Sequence, residues 1–148
     1  MNNKNIPKFA WIITIGLGCI DLIRGFIHTF MLEFAANNIF VIDLSGGIEN
    51  QMFLLGIFGI SNYLTGIMLI LIGLKARELI PIILPAIPAT YLVGVLLISR
   101  VVTPTAQLGG EPYMLVYFAT CIVTFIGILV VRYKSGKNKQ NTILNKSS

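Results

Sequence analysis

The sequence predicts an all-α membrane protein: a bundle of four transmembrane helices with both termini in the cytoplasm. Three observations predict it. The chain is 55% hydrophobic and 11% charged, with a mean hydropathy of +0.83, whereas roughly a quarter of the residues of a soluble domain are charged. Four runs fall near the ~20 apolar residues that a bilayer span needs, at about 9–31, 51–74, 79–100 and 113–131. Lys and Arg gather at alternate ends of those runs. Lys4 and Lys8 precede the first, Lys75 and Arg77 separate the second from the third, and Arg132, Lys134, Lys137, Lys139 and Lys146 follow the fourth, against Arg100 alone on the other side. Such a bias places the basic side in the cytoplasm.

Little chain is left between the runs, so residues 1–133 read as one transmembrane domain without room for a soluble catalytic one. The basic segment 134–148, KSGKNKQNTILNKSS, has too little apolar surface to fold and is expected as a disordered cytoplasmic tail. Topology accounts for the net charge of +5, so no nucleic-acid partner is expected. The bilayer of the cytoplasmic membrane is the expected partner, with a partner subunit or a second copy beside it.

The first span follows a polar, basic lead and carries Trp11 near its inner end, where an indole favours the interface. Asp21 and Arg24 lie inside it and no A-x-A site follows, so it reads as a retained span and not a cleaved signal. Asp21, Arg24 and His28, at spacings of three and four, fall within about 60° of one helix face. Ionisable groups in hydrocarbon are costly, so they turn toward a bundle interior or a wet cavity and pair. Thr14, Gly18 and Gly25 share that side, and glycine there lets a neighbouring backbone come close.

The loop 33–50 has Glu33, Asp43 and Glu49 and no Lys or Arg, which suits the outer side. Its apolar stretch, Ile39 to Ile42 with Leu44, ahead of Ser45-Gly46-Gly47, reads as a strand-like or re-entrant piece ended by a turn. It serves either as a lid over the bundle mouth or as a plain connection. The second span sets Gly59, Gly66 and Gly73 at heptad spacing, with Asn62 and Tyr63 near the same face. Small residues along such a seam mark close packing. Pro81, Pro85 and Pro88 predict a bent or irregular start to the third span. The fourth carries a second polar stripe, Tyr113, Tyr117, Thr120 and Thr124.

Counting about 1.5 Å per residue from alternate sides puts Asp21 roughly 18 Å in and Arg24 roughly 22 Å in. Gly59, Asn62, Tyr63 and Tyr91 come to the level of Asp21, with Tyr117 and Thr120 opposite Arg24 and Asp21. The expected site is therefore a polar pocket in the outer half, formed by Asp21, Arg24, His28, Asn62, Tyr63, Tyr91, Tyr113, Tyr117 and Thr120. Two uses remain open: a ligand or proton site, or a satisfied ion-pair lock that only holds the bundle.

One His and two mid-span Cys, Cys19 and Cys121, rule out ordinary haem, zinc and dithiol sites. Neither Ser61 nor Ser99 has a base at a recognisable spacing, and no phosphate-binding Gly loop is present. The chain is not expected to catalyse a reaction on its own.

The first-span pattern GLGCIDLIRGFIHTF over 16–30, within four short spans, resembles small bacterial four-helix membrane proteins of the DoxX and BphX-like kind. The resemblance implies an accessory subunit of a redox or catabolic membrane system, or a quinone-like ligand. DoxX-type spans tend to have Lys where His28 stands, so a shared ligand does not follow. Binding of a small amphipathic or anionic molecule, proton-coupled transport through Asp21 and His28, and a structural or assembly role are the three functional expectations.

Overall fold

A computed structural model of the chain describes residues 6–40, 48–101 and 111–144. They form α1 (Lys8–Phe30), a short α2 (Leu32–Phe34) running into a π-helical turn (Ala35–Phe40), α3 (Ile48–Lys75), a 3-10 turn (Arg77–Leu79), α4 (Ile80–Ile98) and α5 (Glu111–Leu144), and no strand occurs among the described residues. Segments Lys8–Phe30, Gln51–Lys75, Arg77–Ile98 and Pro112–Lys137 are long and apolar enough to cross a membrane. The protein is a multi-pass membrane protein.

Helix α1 is the central element, touching α3, α4 and α5, while α3 has at most slight contact with α4 and α5. Its closest partner is α3, and glycine is the reason. A Cβ on Gly18 would stand 2.8 Å from the Gly66 carbonyl oxygen, and one on Gly66 2.7 Å from that of Gly18. Farther along, a Cβ on Gly59 would meet His28 and Thr29 at 2.8–3.0 Å, and one on Gly25 would meet Tyr63 at 3.0 Å. With no hydrophobic drive between helices in lipid, close backbone packing of this kind holds them together. The heptad seam expected on the second span is this interface.

The main core joins the helices toward the Lys8 end: Ala10 and Leu17 of α1, Leu69 and Ile72 of α3, Ile80 and Leu84 of α4, and Tyr117, Cys121 and Ile128 of α5. From residue 89 to the end of α4 and on to 101, every position is exposed except Gly94, which is half-buried, although Tyr91 still packs on Phe118 of α5. A smaller cluster, Ala35 and Ala36 against Leu55, Ile27 and Leu32, closes the other end of the α1–α3 pair.

The stretch after α1 is helical through Ala35–Phe40, with Ala35 and Ala36 buried against Leu55; the rest of the apolar piece expected as strand-like or re-entrant, and its turn, fall in residues 41–47, outside the described residues. The third span opens on the 3-10 turn Arg77–Leu79, and α4 continues through Pro85 and Pro88 with Pro81 in its first turn, where a missing N–H matters least. Helix α5 continues to Leu144, where a disordered tail is expected from 134. At about 51 Å it outruns the ~30 Å hydrocarbon core, and extending a formed helix is far easier than nucleating one; residues 145–148 lie outside the described residues.

Candidate functional site

Asp21 and His28 lie on the buried side of α1, 4% and 3% exposed, as the spacing of the stripe predicts. Two polar clusters form around them. In the first, Tyr117 of α5 donates its hydroxyl to Asp21 Oδ2 at 2.9 Å, and Arg24 Nη1 donates to Asp21 Oδ1 at 3.2 Å. The Thr65 hydroxyl of α3 lies near the same carboxylate while bonding to the Ser61 and Asn62 carbonyls of its own helix. Both oxygens of Asp21 are therefore engaged, and three helices meet at one acid.

Arg24 differs from Asp21 in being incompletely used. Its side chain is 23% exposed, and its guanidinium carbon lies 6.0 Å from the centre of the Tyr117 ring. The one bond to Asp21 takes one of the five N–H donors of a guanidinium.

The second cluster joins α1 to α3. Asn62 Nδ2 and His28 Nδ1 are 3.1 Å apart. With the amide NH2 toward the ring, Asn62 donates and Nδ1 accepts. Phe58 stacks on the imidazole at 5.7 Å between centroids. Next to it, Thr29 and Tyr63 share a hydrogen bond of 3.1 Å.

The structure brings Asp21, Arg24, His28, Asn62, Tyr63 and Tyr117 into these clusters, but not at the expected levels. Asn62 and Tyr63 reach His28 and Thr29, not Asp21. The side chains of each helix lean toward its own N-terminus, so in an antiparallel pair they diverge, and Thr65 takes the place expected for Asn62. Tyr113, 75% exposed, and Tyr91, 45% exposed, lie outside; Tyr91 packs on Phe118 of α5 at 4.7 Å. Thr120 and Thr124 bond to the carbonyls of Val116 and Thr120 on their own helix, a habit of Thr in helices, so Tyr117 alone carries the polar stripe of α5 across to α1. Of the two mid-span cysteines, Cys121 is buried and Cys19 is exposed.

Thr29, Phe58 and Thr65 were missed. Phe58, Asn62 and Thr65 share one face of α3 at spacings of four and three, a signal the sequence does contain. No three His, Cys, Asp or Glu side chains come together to hold a metal ion among the described residues.

Compared with known proteins, the chain matches no family model, no curated relative and no solved structure. The DoxX and BphX-like resemblance of the first span gains no support and no contradiction from these comparisons.

Proposed function

We propose that this protein lies in the cytoplasmic membrane with both termini inside and binds a small amphipathic molecule at Arg24, in the outer half of the bundle. The observation that carries this reading is the imbalance between Asp21 and Arg24. The acid is buried with both oxygens engaged, while the guanidinium has donors to spare and stays 23% exposed. Intramembrane charges face bundle interiors and mark ligand or ion pathways. The distribution of Lys and Arg supports the orientation. The resemblance of the first span to DoxX and BphX-like proteins suits such a binding site to an accessory subunit of a larger redox or catabolic membrane system.

A second reading, a structural lock, is favoured by the complete bonding of Asp21. One experiment separates the two: thermal unfolding in lipid nanodiscs of wild type and of Asp21→Asn/Arg24→Met, with and without medium-chain amphiphiles of neutral and anionic head. Binding at Arg24 predicts stabilisation of wild type by at least one head class and its loss in a folded double variant. A lock predicts no stabilisation of wild type by any of them.

A further inference from the structure

The end of the molecule at which α1 begins is strongly positive. Lys8 opens α1, Lys75 closes α3, Arg77 stands in the turn to α4, and Arg132, Lys134 and Lys137 follow on α5. Ala10, Ile72, Ile80 and Ile128 pack in one cluster just inside them, so the six cations share one end of the bundle. Lys8, Lys75, Arg77 and Lys137 are themselves end residues of the four apolar segments, which places the patch at the level of the lipid headgroups. Glu78 is the one acid there among the described residues. None of these side chains joins an ion pair among the described residues, where the ion pair is Asp21–Arg24.

Insertion topology accounts for the sign of this end, but not for the way Arg77 is held. Its guanidinium lies 4.4 Å from the Trp11 ring centre, and its Nε donates to the Gly73 carbonyl at 3.1 Å. That bond uses one of the five N–H donors of the group. The Nη hydrogens have no partner among the described residues. Trp is an interfacial side chain, so its ring keeps the guanidinium at the depth where lipid phosphates sit. A guanidinium already fixed has little side-chain freedom left to lose when a planar fork of donors meets its acceptor.

Independently of the ligand reading above, we propose that Arg77 holds the phosphate of an anionic phospholipid, with Lys8 and Lys75 flanking it. A phosphodiester accepts two parallel hydrogen bonds from the guanidinium fork. Lys75 is two positions from Arg77, and Lys8 precedes Trp11 by one turn of α1. Phosphatidylcholine has the same phosphate with a quaternary ammonium attached. The flanking lysines repel that second cation, so the patch selects headgroups of net negative charge.

Trp11, the single tryptophan of the chain, is the reporter. The full chain is placed in phosphatidylcholine vesicles, and phosphatidylglycerol or phosphatidylcholine with bromines on the upper acyl chain is titrated in. Quenching of Trp11 fluorescence gives the relative affinity of the two lipids at this position. Wild type is expected to prefer phosphatidylglycerol by at least about tenfold. Arg77→Lys keeps the charge and loses the fork, and its preference is expected to fall by at least about threefold. Lys8→Gln/Lys75→Gln leaves the Trp11 contact in place and is expected to lose at least about fivefold. Both lipids are compared within each variant, so a looser Trp11 contact cancels in the ratio. Equal quenching by the two lipids in wild type overturns the proposal without recourse to any variant. A preference unchanged in Arg77→Lys overturns the site and leaves only diffuse attraction by the basic end. Inorganic phosphate that abolishes the preference, where chloride of equal ionic strength does not, overturns the lipid as the occupant.

Discussion

The Tyr117 hydroxyl lies 2.9 Å from Asp21 Oδ2 and joins two residues 96 positions apart. This bond ties the last membrane helix to the first at the one buried acid of α1. It also leaves Arg24 as a partner that Asp21 shares and does not monopolise. The consequences for stability can be read residue by residue.

Removing Arg24 strands a buried carboxylate, whereas removing Asp21 leaves a half-buried guanidinium whose long stem can carry it toward polar surroundings. Arg24→Leu is expected to lower stability by about 3–5 kcal/mol, Asp21→Leu by less, and the double change to recover most of the loss. Equilibrium unfolding in mixed micelles measures all three. Tyr117→Phe is expected to lose about 1.5–3 kcal/mol for a bond to a charged acceptor, and Thr120→Val to stay near wild type, because Thr120 bonds only its own helix.

The glycine seam predicts a graded alanine series. Gly66→Ala and Gly18→Ala set a methyl against backbone oxygen and are expected to destabilise by about 1–3 kcal/mol. At Gly73 a Cβ would stand 2.5 Å from Ile15 Cγ1 and 3.2 Å from the Trp11 carbonyl oxygen, and a β-branched side chain is stiff at χ1, so its alanine variant is expected to cost at least as much. Gly16→Ala and Gly94→Ala meet nothing within 4 Å and should gain roughly 0.5–1 kcal/mol of helix preference. Thermal unfolding of the five variants checks the order.

Asn62 fixes the tautomer of His28. Nitrogen-15 NMR of selectively labelled protein is expected to show an unprotonated Nδ1 and a protonated Nε2 at neutral pH. Asn62→Leu removes the donor at a buried acceptor and is expected to lose about 1–3 kcal/mol, with a mixed-tautomer spectrum.

At the other end of the molecule, the Arg77 guanidinium sits 4.4 Å from the Trp11 ring centre, and its Nε donates to the Gly73 carbonyl at 3.1 Å. This contact clasps the start of α1 to the α3–α4 turn. Arg77→Lys keeps the charge but loses the planar fork and the Nε–H, so acrylamide quenching of the single tryptophan is expected to rise in it as in Arg77→Leu. The stability loss is expected at about 0.5–2 kcal/mol.

The four spans, the glycine heptad of α3 and the inward stripe of α1 could be read from the chain, because each depends on spacing within one segment. The partners of the stripe could not. Helix α4 is apolar nearly all round, so nothing in its sequence tells which face turns inward, and Tyr91 was placed inside; the polar stripe of α5 does mark its inward face at Tyr117 and Thr124, 7% and 3% exposed, but Tyr113 at its end lies outside. Asn62 was matched by depth, but the glycine contacts set the register of α3, and the lean of the side chains carried Asn62 to His28.

Because Asp21 and Tyr117 are so far apart in the chain, the first helix is made long before its distant partner exists. At ribosomal rates of about 5–20 residues per second, the interval is on the order of 5–20 s. Through that interval Arg24, one turn away on the same helix, is the hydrogen-bonding counter-charge for Asp21 carried by the first helix itself, and the Tyr117 hydroxyl joins it only after the last segment is made.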